Sequence, residues 1–343
     1  MEEQIVSPDP ILLMGGTGAI GSRTARALRA AYPDLPLLIG GRDHARSDKI
    51  AREIGHAEGV VIDPLAADLG LGQRRVGAVA VFYADARLAG LRYAHARGVP
   101  HLGISSGIFE IAPEVATFMH RPDAAAVVLG YEWLVGATTV PALHFAEAFG
   151  RLDSIRIGAL VDEEDEGGPA VAEDFERLSS LLPAALTRSA GAYHWRRDAD
   201  AKTRFQAIDG TSIEATGFSS IDVAGLATAL GAGDVEFNLG TGISSSRRRG
   251  EPKSTEILIE LAGVDPAGSP LRTRNAVFHP GGAAPLTVLG VTMVLERLTG
   301  LDGRPPAVPG LYFPYQLLDP AIYLARLREA GGEAWTLDRA GSR

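Results

Sequence analysis

Between Ile11 and Gly21 the chain reads Ile-Leu-Leu-Met-Gly-Gly-Thr-Gly-Ala-Ile-Gly, an apolar run that enters a cluster of glycines. Ser22 to Ala30 follow with helix-forming composition and apolar residues at helical spacing. Gly16, Gly18 and Gly21 have the spacing of a dinucleotide-binding turn. The first glycine allows a tight turn, the second admits a pyrophosphate against bare backbone, and the third lets helix and strand pack closely. The helix start then aims its free N–H groups and positive dipole end at the phosphates. Gly15, Gly16, Thr17, Gly18, Ala19, Ile20 and Gly21 are therefore candidate cofactor-binding residues.

Leu35 to Arg42 read as the second strand, about twenty residues beyond the glycines. An acid at that strand end would hold the ribose 2′-hydroxyl of NAD, whereas an arginine accommodates the 2′-phosphate of NADP. Here Gly41 and Arg42 come first and Asp43 follows, so NADP(H) is the expected cofactor. Arg46 and Ser47 lie just beyond, and Lys49 reads as a solvated charge. Asp63, Tyr83, Ser105 and Ser106, at or just beyond the ends of later strands, complete the expected cofactor-binding set.

Hydride would come from the cofactor, leaving the protein to supply orientation, charge and at most one proton. Tyr131, His279 and His194 are the candidate catalytic residues. Tyr131 falls where the chain leaves the nucleotide sheet, with an aromatic wedge as the other reading. His279 precedes Pro-Gly-Gly in a turn before a helix, a place suited to a ligand-facing imidazole. His194 belongs to the polar-aromatic cluster Tyr193–Arg197, read as preceding a strand, and His144 reads as a packed histidine. Gly240 to Gly250 is rich in hydroxyls and arginines, so it can close over an anion or form a solvated hairpin tip or subunit contact. The acidic run Asp162–Glu166 reads as a mobile loop, because consecutive acids cannot all face one metal ion.

The elements that must position these residues alternate strand and helix from Ile11 to about Gly130, as a parallel sheet covered on both faces requires. Strands are expected at Val60–Asp63, Val76–Tyr83, Val99–Ile104 and Ala125–Leu129, with a helix over Ala86–Arg97. After Gly136 the pattern changes to a helix at Thr139–Phe149 and several period-2 runs. Asp209-Gly210 between two such runs signals a hairpin, Pro285–Leu298 reads as a helix, and Asp319-Pro320 opens a final one. The expected architecture is α/β: a doubly wound parallel sheet with a second α+β domain on a mixed or antiparallel sheet. Residues 1–130 with about 310–343 form the first domain, and 131–309 form the substrate and dimerisation domain.

Gly15–Gly21, Gly40-Gly41-Arg42, and Leu88–Gly98 running into Val99–Ser105 resemble the NADP-binding Rossmann domain of the saccharopine dehydrogenase-like reductases. The ending from Pro309 to Gly331 resembles that family's final helix, which packs back on the nucleotide domain. The resemblance implies an NADP-dependent oxidoreductase acting at a carbon–nitrogen bond, with substrate held between the domains and a homodimer formed through the second domain's sheet. The expected reaction is reduction of an imine, or its reverse at a secondary amine, on an amino-acid-like or polyamine-like molecule. A trans-acting enoyl or carbonyl reductase is one alternative. Another is a noncatalytic NmrA-like NADP-binding regulator, since Gly15, Gly18 and Gly21 also fit the short-chain dehydrogenase spacing. That family's classical Tyr-x-x-x-Lys is absent: Tyr83 has Arg87 and Tyr93 has Arg97 four residues on.

Composition agrees with an ordinary cytoplasmic enzyme of small molecules. At 343 residues the chain can bury one large core or two linked ones. Its net charge of −9 argues against nonspecific affinity for nucleic acid or anionic membrane. The absence of cysteine excludes disulfides, thiolate catalysis and zinc–cysteine sites. The acidic start Met1-Glu2-Glu3 begins no signal peptide, and no apolar run approaches a bilayer's thickness.

Overall fold

Ile11–Met14 (β1) is buried along its whole length, and so are Ala78–Val81 (β4) and Ala126–Leu129 (β6). Strands apolar on both faces need cover on both faces, which a parallel sheet between helices provides. The computed structural model, which describes residues 8–165, 173, 176–177 and 184–341, contains that sheet. With Leu37–Gly41 (β2), Ala57–Val61 (β3), His101–Gly103 (β5) and Gly310–Tyr312 (β15), its order is β15-β6-β5-β4-β1-β2-β3, parallel throughout. β1 lies between β2 and β4, so the winding reverses there and opens a crevice at the carboxyl ends of the strands. Ala19–Ala31 (α1), His44–Ile54 (α2), Ala89–Arg97 (α3) and Ala112–His120 (α4) connect the strands. Leu12, Met14, Val79, Val81 and the fully buried Tyr93 belong to the core of this unit.

The second sheet is mixed. Its middle strand, Arg151–Asp162 (β7), pairs parallel with Asp234–Gly242 (β12) and antiparallel with Thr255–Val264 (β13). The hairpin Lys202–Gln206 (β10) and Ser212–Gly217 (β11) turns at Asp209-Gly210 as expected, and Pro270–His279 (β14) and Glu333–Gly341 (β16) close the other side. Ala184–Ser189 (β8) and Ala192–Arg197 (β9) form a further hairpin joined through β12. Tyr193–Arg197 precede β10 as expected, and they also form an exposed strand of their own, which the sequence reading did not give them. Leu160, Phe205, Ile213, Leu258 and Ala276 form one apolar cluster of this sheet.

The chain divides into Met1–Gly130 with Val291–Leu317, and Tyr131–Gly290 with Leu318–Arg343. The boundary after Gly130 coincides with the sequence reading, but the C-terminal assignment is corrected. Residues 291–309 go with the first unit, and everything from Leu318 goes with the second. The cause is β16, which runs antiparallel to β14 from Phe278↔Glu333 to Leu271↔Gly341 and takes the preceding helix, Pro320–Glu329, with it. That helix starts as expected, with Asp319 accepting the Ile322 N–H at 2.9 Å and Pro320 in its first turn. Among the described residues no helix is long and apolar enough to cross a membrane.

Candidate functional site

The site in the first unit is built from backbone. Gly15 takes φ +84°, and its N–H bonds Gly40 O at 2.9 Å, which ties the turn to the end of β2. A Cβ on Gly21 would lie 2.5 Å from Gly15 O and 2.8 Å from Gly16 Cα, so α1 can start this close to β1 only without a side chain there. Gly18 is different, since a Cβ there would meet only Gly15 O, at 3.2 Å. Packing within the turn therefore does not by itself demand a glycine there. α1 has no side-chain cap and no acid in its first turn. The N–H groups of that turn have no intrahelical acceptor, which suits an anion such as a pyrophosphate. Thr17, Ala19 and Ile20 belong to the same turn, and Thr17 O accepts from Arg46 Nη2 at 3.2 Å.

At the end of β2, Asp43 caps α2 by accepting the Arg46 N–H at 3.2 Å. Arg42 is exposed and forms no ion pair among the described residues. Gly41 is constrained from beside it, because a Cβ there would lie 2.6 Å from the buried Ser47 hydroxyl. Beyond β4, the ring of Tyr83 lies against the glycine turn, with Cδ1 3.1 Å from the place of a Gly15 Cβ. Burial, then Asp85, pushes its phenol up to about 12, and Arg42 pulls the other way. Asp63 is exposed and accepts the Leu65 N–H at 2.9 Å. Ser105 is buried beyond β5, and Ser106 donates to Glu114 Oε1 at 3.1 Å. The glycine turn, Gly41, Arg42, Asp63, Tyr83, Ser105 and Ser106 thus follow the carboxyl ends of parallel strands, on the ligand-binding edge of such a sheet.

The expected proton donors fare differently. His279 ends β14 buried, its Nδ1 accepting the Gly281 N–H at 2.9 Å and its Nε2 lying 3.0 Å from Ala330 O. Burial lowers its pKa despite the Ala330 contact. Both ring nitrogens are spent on backbone, so the ligand-facing imidazole expected from sequence is corrected to a neutral structural pin. His194 is exposed on β9 and lines a cleft of about 850 Å3 on the second sheet, together with Arg188, Arg196 and Arg274. Those arginines tie strands together: Arg196 reaches Asn238 Oδ1 at 2.9 Å, Arg188 Ala232 O at 2.7 Å and Arg274 Ala207 O at 2.6 Å. Tyr131, half-buried, is the first residue of the second unit. His144 is also only half-buried, 3.7 Å from Glu147.

Two segments join in a way the sequence reading did not anticipate. Ser244, Ser245 and Ser246 are buried, and the neighbouring guanidiniums are committed to carboxylates. Arg247 Nη1 lies 2.7 Å from Asp162 Oδ1, and Arg248 grips Asp209 through Nε at 2.7 Å and Nη2 at 2.9 Å. Neither an anion clamp nor a solvated tip describes this loop. Asp162 is equally far from a mobile loop: it is buried and accepts the Ser244 and Glu164 N–H groups at 2.8 and 2.9 Å. Burial raises its carboxyl, and these bonds with Arg247 outweigh that and hold it at about 2. Asp165 accepts the Ala283 N–H at 2.7 Å, at the start of the helix Ala283–Thr299, while Glu166 lies outside the described residues. Among the described residues no group of three or more His, Asp or Glu could hold a metal.

Sequence reading also missed Asp222, which opens the helix Asp222–Leu230 and is fully buried. Its Oδ2 accepts the Trp133 N–H at 2.8 Å and the Ser220 hydroxyl. Burial pushes this carboxyl up to about 6 against the pull of those two bonds. Nothing in the local pattern Ser-Ser-Ile-Asp-Val marks it apart from a helix start, because its partner is 89 residues away.

No family model matches the chain, and no curated protein matches it. Among solved structures, a histidine-tagged apo saccharopine dehydrogenase (L-Glu forming) from Saccharomyces cerevisiae is similar over 98% of this chain and 100% of its own. Its identity is 13% and its TM-score 0.62. A myo-inositol dehydrogenase from Corynebacterium glutamicum aligns over 97% of this chain and 100% of its own, at 16% identity and TM-score 0.47. An amine dehydrogenase from Mycobacterium smegmatis aligns over 91% and 96%, at 13% identity and TM-score 0.47. At these identities the likeness is one of fold, and the chain has a saccharopine dehydrogenase-like fold.

Proposed function

We propose that this protein is an NADP(H)-dependent oxidoreductase that reduces an imine, or oxidises a secondary amine, of an amino-acid-like or polyamine-like molecule. The observation that carries the reading is the pairing of two features at one sheet edge. The glycine turn leaves the start of α1 uncapped for a pyrophosphate, and the exposed Arg42 follows β2 while Asp43 is engaged in capping α2. The first feature suits any nicotinamide dinucleotide, and the second favours one with a 2′-phosphate. Gly15 to Gly21 would hold the pyrophosphate, Arg42 the 2′-phosphate, and Tyr83 would flank the turn.

The nicotinamide, when bound, supplies or accepts the hydride. An iminium carbon is already electrophilic, so the protein need only orient it and exclude water. That fits a chain whose His279 is pinned to backbone and whose His194 sits on an exposed strand. Tyr131 is the remaining candidate donor, at the start of the second unit.

The test is a titration of the purified protein with NADPH and NADH, followed by turnover with cyclic and acyclic imines under NADPH. NADPH oxidation with one imine class supports the reading, and oxidation with enoyl or carbonyl compounds alone would move the assignment to that class of reductase. Tight NADPH binding with no turnover would favour a noncatalytic sensor, and equal or absent binding of both dinucleotides would remove the NADP assignment.

A further inference from the structure

The first turn of the second unit is strained. Leu134, Val135 and Gly136 have φ of +52°, +59° and +95°, three successive residues in the left-handed region. Glycine adopts it freely, leucine reluctantly, and a β-branched valine hardly at all. Such conformations persist only where the surroundings over-determine them, and they cluster where a chain positions groups for function.

Several contacts over-determine this one. The Val135 N–H closes on Glu132 O at 2.8 Å and the Ala137 N–H on Trp133 O at 3.1 Å. The Trp133 indole sits edge-on to Phe218 and tilted against Phe237, with both ring centroids 5.6 Å away. Glu132 is buried and accepts the Thr139 hydroxyl at 2.8 Å from Thr139–Ala146 (α5). A long-range hydrogen bond grips the turn's own backbone, from the Trp133 N–H to Asp222 Oδ2 at 2.8 Å. A fully buried carboxyl is a costly acceptor even with the Ser220 hydroxyl beside the Trp133 amide, so its place here points to a demand for position more than for stability.

We propose that Asp222 is a positioning residue for the reaction, holding the turn Tyr131–Gly136, and with it Tyr131 and Glu132, in the geometry the substrate meets. The inference rests on the oxidoreductase reading for its consequence in catalysis, and its structural half stands apart from that reading. Asp222 acts through the Trp133 backbone and touches neither cofactor nor substrate. Titratable side chains at the turn include Tyr131 and Glu132 from the turn itself, Asp222 from its helix and Tyr323 from the helix Pro320–Glu329, whose phenol burial and Glu132 push upward.

The experiment uses the full chain with Trp195→Phe and Trp335→Phe, so that emission reports Trp133 alone. Asp222→Ala, Asp222→Asn and Glu132→Gln are compared with that parent by amide exchange over residues 131–137, by Trp133 emission from pH 5 to 8, by NADPH titration and by kcat and KM. In Asp222→Ala, exchange across the turn is expected to rise on the order of 10–100-fold and kcat to fall by a similar factor. The NADPH Kd should stay within about twofold of the parent, because the glycine turn belongs to the other unit. Asp222→Asn should recover most of kcat, since its amide oxygen still accepts the Trp133 N–H. It should also lose the emission change between pH 5 and 8 that the raised Asp222 carboxyl gives the parent. Unchanged exchange over 131–137 in Asp222→Ala overturns the inference, and so does a freed turn with unchanged kcat. A parent that binds NADPH but turns over no substrate would instead defeat the oxidoreductase reading, with the exchange result still deciding whether Asp222 holds the turn.

Discussion

Asp43 accepts the backbone N–H of Arg46 at 3.2 Å, so the first acid beyond β2 caps a helix while Arg42 beside it stays exposed without an ion pair among the described residues. Arg42→Ala should therefore weaken NADPH binding by about 1.5–3 kcal/mol, the value of a charged hydrogen-bonded contact, and leave NADH binding nearly unchanged. Isothermal titration with both dinucleotides checks it. An equal loss for both would mean that Arg42 does not meet the 2′-phosphate.

Gly18 and Gly21 should separate binding from folding. A methyl at Gly21 meets Gly15 O at 2.5 Å, and backbone cannot move aside as a side chain would. Gly21→Ala should lower stability by about 1–3 kcal/mol, the usual cost of overpacking. A methyl at Gly18 meets only one oxygen, at 3.2 Å. Gly18→Ala should keep a near-native melting temperature and lose most dinucleotide affinity. Both variants are read by thermal melts with and without NADPH.

Asp162 should make the second unit acid-sensitive. Its folded pKa, about 2, lies below the ordinary value of 3.8. The stabilisation is therefore present above about pH 4 and is lost as pH falls through about 2. Asp162→Asn should remove that dependence and lower stability at pH 7, leaving Arg247 only its exposed partners Glu163 and Glu164. Denaturant melts at pH 7 and pH 3 would show it, with the gap between variant and wild type narrowing at the lower pH.

His279→Ala should behave as a structural lesion. Two hydrogen bonds to backbone disappear, costing about 1–3 kcal/mol if the freed groups stay dry. The pH profile of kcat measured well below the melting temperature should keep its shape. A lost limb in that profile would restore His279 as a proton donor.

Much of the first unit was legible because its signals are local. Apolar runs of four residues, glycines at fixed offsets and a helix-forming stretch lie within about twenty residues of each other, and the turn they form is decided by their own sterics. The Asp209-Gly210 hairpin and the Asp319 cap were legible for the same reason. The arginine-rich loop and the acidic run were misread because Arg247 of the one is the partner of Asp162 of the other, while Arg248 turns to Asp209. Arg247 and Asp162 are 85 residues apart, and neither composition nor spacing says that two charged segments will neutralise one another.

The sequence by itself determined the strand–turn–helix unit, the order Arg42 then Asp43, and the two sheet types, all properties of short stretches and their periodicity. Only the tertiary structure decided that β16 leaves the first unit to pair with β14, that His279 faces Gly281 and Ala330, and that Asp222 reaches Trp133 across 89 residues. Apart from the local His279–Gly281 contact, these are hydrogen bonds between groups far apart in the chain. Such bonds form because burial leaves the polar group no water to turn to, and burial is a property of the whole fold.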